Sequence, residues 1–481
     1  MNRLPRLWAS ALGMTLMAGV SVPAIAETLA EALLRTYRTN PTLTAARADL
    51  RATDATVGIA RSAARPSLSS SAGLTQSYDG VATGDEAGRK LTLSASASMP
   101  IYAGGAIRGG VRAAKERVEA GRASLRGTES DVFSDVVAAY MDVMLSRALV
   151  ELNRNQVQVL TTNLEATRDR FEIGDLTRTD VAQSEARLAL ASSALVKAEG
   201  NLVTAEQNYL RLTGGPADDL SPPPPLPALP ETVAAATDIA INENPGLLAA
   251  KANAKAAGSD VDVARAARLP TLSATAGVSY YDYMGTIGQV VGSSSSSLQQ
   301  SQATSSIGLS ATLPLYQGGE PGARVRRSLE IASAAREREI ASERLVVASV
   351  RSAFAGYRSA LDSIESNAKA VAASRLALEG NRAENSVGTR SVLEVLDAEQ
   401  ELLNTEVALA TARRDAYVAG FRLLNAMGRA EMKDLNIEGG VLYDPVANYK
   451  SASGNVSDWS DGGERGVMAT RTYGPVATPA N

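Results

Sequence analysis

The sequence carries one plan twice. Residues 27–48, ETLAEALLRTYRTNPTLTAARA, align with residues 231–252, ETVAAATDIAINENPGLLAAKA, at an offset of 204. Asn40-Pro41 falls on Asn244-Pro245, and Pro66-Ser67-Leu68-Ser69 on Pro270-Thr271-Leu272-Ser273. Farther along, PIYAGG (100–105) and PLYQGG (314–319) stand 214 apart, and that offset holds through Gly174/Gly388 to Gly214/Gly428. The ten extra residues sit in a polar loop around Ser293–Ser297. Whatever unit the first half forms, the second half forms again. The repeats span 27–215 and 231–430, joined by a linker (216–230) whose SPPPPLPALP run is stiff and extended. Residues 431–481, rich in Gly, Ser, Asp and Pro, read as a flexible tail.

Proline placement sorts the rest. None occurs between Ile101 and Gly215, or between Gly322 and Asp444, and both spans are rich in helix-forming Ala, Glu, Arg, Leu and Gln. Each is interrupted once, at FEIGDLTRTD (171–180) and NSVGTRSVLE (385–394), where a Gly suits the residue after a helix end. Two antiparallel helical hairpins follow. Val181, Leu188, Leu195, Leu202 and Tyr209 recur every seven residues, as do Val395, Leu402, Leu409, Ala416 and Leu423. Val150, Val157, Leu164 and Phe171 mark the outgoing arm. A seven-residue repeat favours left-handed coiled-coil packing, with an ordinary helical bundle as the plainer reading. The outgoing arm from Gly104 is roughly 70 residues, or about 105 Å of helix, and the return arm is barely over half that. A helix over Pro41–Arg65, stacked end-on against the return arm, supplies the missing length, and Pro245–Leu269 does so in the second half.

Between the proline markers the period changes to two. Leu91, Leu93, Ala95, Ala97, Met99 and Ile101 alternate with mostly Ser, Thr and Lys, and Ile307, Leu309, Ala311, Leu313 and Leu315 alternate in the same way. Leu68, Ala72 and Leu74, then Leu272, Ala274, Ala276 and Val278, give two partner strands. Runs of about ten residues with this period suit transmembrane β-strands. Tyr78, Tyr280, Tyr281 and Tyr283 at one end, with Tyr102 and Tyr316 at the other, resemble two interfacial girdles. A soluble β-sandwich fits any single strand equally well. Four strands cannot close a barrel, however, and an open edge cannot sit in lipid. Three chains would supply twelve strands. PIYAGG and PLYQGG then read as hinges where a strand becomes a long helix.

Composition removes much of catalysis. The chain has no Cys and no His, hence no disulfide, no thiolate or imidazole metal site and no His base. No cofactor motif appears. A carboxylate hydrolase survives that filter, but its acids lie at heptad surfaces and turns, with nothing to mark a pocket. The expectation is that the chain is not an enzyme. A net charge of −4 without a basic block argues against nucleic acid. Arg3 and Arg6 precede the apolar run Leu7–Val22, and Ala24-Ile25-Ala26 offers a cleavage site, so residues 1–26 read as a signal peptide. No later run is long and apolar enough for a transmembrane helix.

Two repeats of helix, β-hairpin and long helical hairpin, with P-[IL]-Y-x-G-G at the hinges, resemble the TolC family of outer-membrane channel-tunnels. The turns IGDLTRTDVAQSEARL (173–188) and VGTRSVLEVLDAEQEL (387–402) carry the resemblance furthest. It implies an α+β membrane protein, with four β-strands per chain. Three chains would form a homotrimer whose 12-stranded barrel in outer-membrane lipid continues as a helical tunnel into the periplasm. It also implies a periplasmic adaptor (membrane fusion) protein and an inner-membrane ABC or proton-driven transporter as partners, in type I secretion or multidrug efflux. A periplasmic coiled-coil adaptor is the alternative. Matched residue by residue, Arg390 falls on the family's gate arginine, Thr179 and Asp180 on its partners in the neighbouring hairpin. Glu394 and Asp397 fall on two acids that ring a narrow entrance. Glu394 stands where the family has Asp, and Asn385 where it has a gate tyrosine. Thr177-x-x-Asp180 and Ser391-x-x-Glu394 are also capping-box patterns, so both acids fit equally as helix caps.

Overall fold

The structure is a computed structural model that describes residues 26–76, 89–285, 299–435 and 442–472. The leader apart from Ala26, Tyr78 and the Ser293–Ser297 loop lie outside these residues. The first repeat runs α1 (Leu29–Thr39), α2 (Pro41–Ser62), β1 (Ser67–Gln76), β2 (Arg89–Ala103), α3 (Ala106–Glu172) and α4 (Arg178–Thr213). The second runs α5 (Val233–Glu243), α6 (Pro245–Ala266), β3 (Thr271–Asp282), β4 (Ser301–Thr312), α7 (Glu320–Ser386) and α8 (Val392–Met427). Repeat mates match in length: α3 and α7 have 67 residues each, α4 and α8 have 36, α2 and α6 have 22. The long helices span about 100 Å at ~1.5 Å per residue.

The expected end-on stacking has a specific fastening. Asn40 caps α2, its side-chain oxygen accepting from the amides of Thr42 and Leu43, while its side-chain NH₂ donates to the Leu212 carbonyl at 2.9 Å. Asn244 does the same at α6, donating to the Ala426 carbonyl at 2.9 Å. One side chain thus satisfies orphan groups at two helix ends. The Pro that follows fits the first helical position because it has no N–H to lose. The Asn-Pro pair is the splice.

The sheet order is β1-β2-β3-β4, all antiparallel, so β2 and β3 join the two repeats. Register puts Leu68, Leu93, Ala97, Ala276, Val278, Ile307 and Leu309 on one face, and Ser, Thr and Gly on the other. Ser69 pairs with Ser96 at 3.0 Å and Ser71 with Ser94 at 2.7 Å across that second face. The hinges differ. PIYAGG stays in β2 as far as Ala103 because β3 pairs with it there, whereas β4 ends at Thr312, where β3 begins. Consecutive left-handed glycines then turn the chain into the helix, Gly104 and Gly105 at φ 61° and 90°, Gly318 and Gly319 at 60° and 84°.

The tyrosines depart from the expected girdle. Tyr280 lies opposite Leu93 on the apolar face, but Tyr281 lies opposite Thr92 on the polar one. Adjacent residues on a strand face opposite ways, so no single girdle holds both.

The main core is a waist where α1, α5 and the linker wrap the middle of the long helices. Phe133, Tyr140, Tyr209, Leu247 and Leu423 are fully buried there. The Tyr140 hydroxyl donates to the Glu27 carbonyl at 3.0 Å and lies 2.5 Å from the Ser221 carbonyl, tying the first residues to the linker. In the tail, expected to pack loosely, Pro445–Gly454 form α9, which lies along α2. The Asn448 amide donates to buried Asp54 at 2.9 Å and Arg61 to the Ser453 carbonyl at 2.9 Å. Those partners lie nearly 400 positions away, beyond the reach of any local pattern.

Candidate functional site

Both hairpins turn at residues 173–177 and 387–391, far from the sheet. Gly174 and Gly388 take φ 82° and 80°, which lets each helix end in a tight reversal. Both return helices begin with complete capping boxes. The Thr177 amide and hydroxyl donate to Asp180 Oδ2 at 2.9 and 2.7 Å, and the Asp180 amide donates back at 3.3 Å. The Ser391 amide and hydroxyl donate to Glu394 Oε2 at 2.9 and 3.0 Å, with the Glu394 amide returning at 3.3 Å. The cap reading of Asp180 and Glu394 is therefore realised in full.

Glu394 does more than cap. Its second oxygen accepts from Arg390 at 2.7 Å, and Arg390 also donates to Glu384 Oε2 at 2.6 Å. The Asn385 amide donates to the Arg390 carbonyl at 2.8 Å. Asn385 thus shapes the backbone beneath the arginine. The Ser391 amide, then Arg390, then the Ser391 hydroxyl hold the Glu394 carboxyl below its ordinary value. Hydrogen bonds to Glu384 and Glu394 raise the Arg390 guanidinium. The Thr177 hydroxyl, then its amide, hold the Asp180 carboxyl low.

Among the described residues of a single chain, Arg390 pairs with Glu384 and Glu394, both within its own hairpin turn. Thr179 lies exposed in the first turn of α4. Asp397 pairs with Arg187 of the other hairpin at 2.5 Å. Each acid expected at the entrance therefore has its own arginine.

Sequence reasoning missed Glu399. It is only 3% exposed, yet it accepts from Asn163 of α3 at 3.0 Å through each oxygen and from Arg382 of α7 at 3.0 Å. A signal was available in the repeat itself. Arg382 and Glu399 align with Arg168 and Glu185 at the offset of 214, and that pair also bonds, at 2.6 Å. An open groove of about 490 Å³ runs along α7 and α8, lined in part by Arg390, Glu394, Asp397 and Glu401. Among the described residues no group of acids is arranged to hold a metal ion.

The family described as Outer membrane efflux protein matches residues 34–215 and 236–429, which cover both repeats. The chain is 34% identical over 432 residues to the outer membrane efflux protein BepC of Brucella suis biovar 1 (strain 1330), covering 89% of this chain and 91% of that one. It is 29% identical over 325 residues to the outer membrane protein TolC of Escherichia coli (strain K12), covering 65% and 64%. The fold matches the Campylobacter jejuni CmeC outer membrane channel with a TM-score of 0.73 over 90% of each chain; at 18% identity this likeness speaks to the fold alone.

Proposed function

The chain belongs to the outer membrane efflux protein family, and on that premise we propose that three copies form a passive export duct. Its barrel crosses the outer membrane, and its helices carry the passage into the periplasm. A periplasmic adaptor and an inner-membrane ABC or proton-driven transporter feed it, for type I secretion or multidrug efflux. It is a passive conduit and catalyses no reaction. The observation that carries this reading is the sheet: β1 and β4 each have an unpaired edge beside an exposed apolar face that includes Leu68, Ile307 and Leu309. Such a sheet is stable in lipid only when neighbours close it, and twelve strands fall within the range of known barrels. A periplasmic adaptor has no use for that face, and the outer-membrane relatives disfavour it too. Mass measurement of the detergent-solubilised protein tests the assembly; a membrane-inserted monomer would sink it.

At the turns, we infer that Thr179, Asp180, Arg390, Glu394 and Asp397 form the periplasmic gate. Three chains bring six carboxylates from Glu394 and Asp397 to one passage, and their repulsion opposes closure. Arg390 beside Glu394 and Arg187 beside Asp397 offset that repulsion. Rings of acids also favour cations in a pore. Arg390→Ala is expected to raise single-channel conductance in planar bilayers. Glu394→Gln with Asp397→Asn is expected to weaken cation selectivity. If Glu394 were only a cap and Asp397 only a surface charge, the double variant would lose stability while its ion selectivity stayed unchanged.

A further inference from the structure

Along the Ser/Thr/Gly face of the sheet, one charged side chain stands among the described strand residues: Lys90, two before Thr92 and therefore on its face. With the apolar face toward lipid, this polar face lines the lumen. The position along the barrel is equally defined. Helices attach where β1 and β3 begin and where β2 and β4 end, so Lys90, at the start of β2, stands at the opposite, outer mouth.

Lys90 is held in place. Its ammonium lies 5.0 Å from the centre of the Tyr281 ring and 5.4 Å from that of Tyr283, and the two rings meet edge to face at 5.3 Å. The Tyr281 hydroxyl donates to Gln302 Oε1 at 2.6 Å, which fixes that ring against β4. The Tyr283 amide donates to the Gln300 carbonyl at 2.9 Å, continuing the ladder one step past the strand. The nearest acid in sequence register, Asp282, faces the other way and is occupied: it accepts from the Tyr280 hydroxyl at 3.1 Å and from the Met284 amide at 2.7 Å. Among the described residues no carboxylate forms an ion pair with Lys90. An aromatic pair satisfies a cation while leaving its charge unneutralised.

We propose that Lys90, clamped by Tyr281 and Tyr283, forms with its two symmetry copies a positive collar at the outer mouth that binds multivalent phosphate-bearing anions arriving from outside. The proposal rests on the trimeric-duct reading, since one chain supplies one third of the collar. Below Lys90 the polar face carries no further charge among the described strand residues, so a polyanion gains little by moving deeper. At physiological salt the field of each ammonium fades within about 8 Å, so the ligand must reach the collar itself, and lower salt strengthens its hold.

The test uses the full-length channel in planar bilayers at low salt, with inorganic tripolyphosphate added to either side. The expected result is block from the outer side at concentrations about tenfold below those needed from the periplasmic side, since fixed charge at a mouth raises the local counter-ion concentration. Lys90→Gln should raise the outer-side blocking concentration about tenfold, and Lys90→Arg should leave it low. Tyr281→Leu combined with Tyr283→Leu should raise it by less, because the freed ammonium no longer projects from a fixed point. Equal block from both sides of the unsubstituted channel, or an unchanged outer-side blocking concentration in Lys90→Gln, would overturn the collar. Failure of the duct reading looks different: no trimeric conductance would appear at all.

Discussion

Gly104 and Gly318 occupy the same place in the two hinges and have nearly the same backbone, φ 61° and 60°. Their surroundings differ. A Cβ on Gly104 would lie 2.7 Å from the Ala266 carbonyl oxygen and 2.9 Å from Leu269 Cβ, whereas one on Gly318 would meet nothing within 4 Å. Gly318→Ala is therefore expected to cost only the left-handed backbone penalty, about 1–2 kcal/mol. Gly104→Ala adds a clash with backbone that cannot swing aside, and should cost clearly more. Thermal melting of the trimer, read as loss of its slow-migrating band, should rank the two in that order. The Gly pairs themselves were legible, because a proline-flanked GG between two periodicities marks a conformational switch. Their inequality was not, since it depends on α6 passing beside one hinge. The turns divide in the same way. The capping boxes and the i,i+4 pair of Arg390 with Glu394 follow from spacing alone, while the burial of Glu399 depends on which helices lie side by side.

At the scale of the element, alternation carried the strands well and failed at one detail. The faces expected from period two are those found: Leu93 lies opposite Ala72 and Tyr280, Ser94 opposite Ser71 and Ser279. A pair of substitutions exploits this. Leu93→Arg puts a charge on the lipid face, at a cost of about 2–4 kcal/mol near the bilayer midplane. Ser94→Arg puts the same charge into the lumen, where water solvates it. Outer-membrane fractionation should show reduced insertion for the first and near-normal insertion for the second. Equal insertion of both would mean that the faces are assigned wrongly. The error at Tyr281 arose from treating clustered tyrosines as one belt, although alternation forbids neighbours to share a face. The helices were legible in length because a heptad repeat has no tolerance for proline. α9 was not, since ten residues of low amphipathicity become a helix here only through Asp54, Arg61 and the rest of α2.

Across the whole molecule, the equal helices α3 and α7 are unequally covered. α3 buries residues from Gly109 to Thr167 along its length, while α7 buries six, Val325, Ala332, Val346, Val350, Phe354 and Leu378. α3 has neighbours on both flanks: α2 and α4 on one, α6 and α8 on the other. α7 packs against α6 and α8, with α5 across its middle, and among the described residues no long helix lies along its other flank. The internal repeat says what belongs there. If the copies continue the pattern around a ring, the contact of α3 with α8 recurs as a contact of α7 with α4 of the next copy. Asp131 of α3 accepts from Asn425 of α8 at 3.0 Å. Their repeat mates at the offset of 214 are Leu345 and Arg211. Leu345 is 67% exposed in the single chain, and the pattern places it beneath the aliphatic stem of Arg211 in the next copy, where a long charged side chain covers apolar surface well. Leu345→Arg would set two guanidiniums against each other and forfeit about 1.5–3 kcal/mol of leucine burial at each of three interfaces. It should shift the detergent-solubilised protein from trimer toward monomer, with the helix content of each chain preserved. Adding Arg211→Glu restores opposite charges across the contact and should recover the trimer. A Leu345→Arg protein that stays fully trimeric would show that α7 meets the next copy through some other face, and that the internal repeat does not extend around the ring.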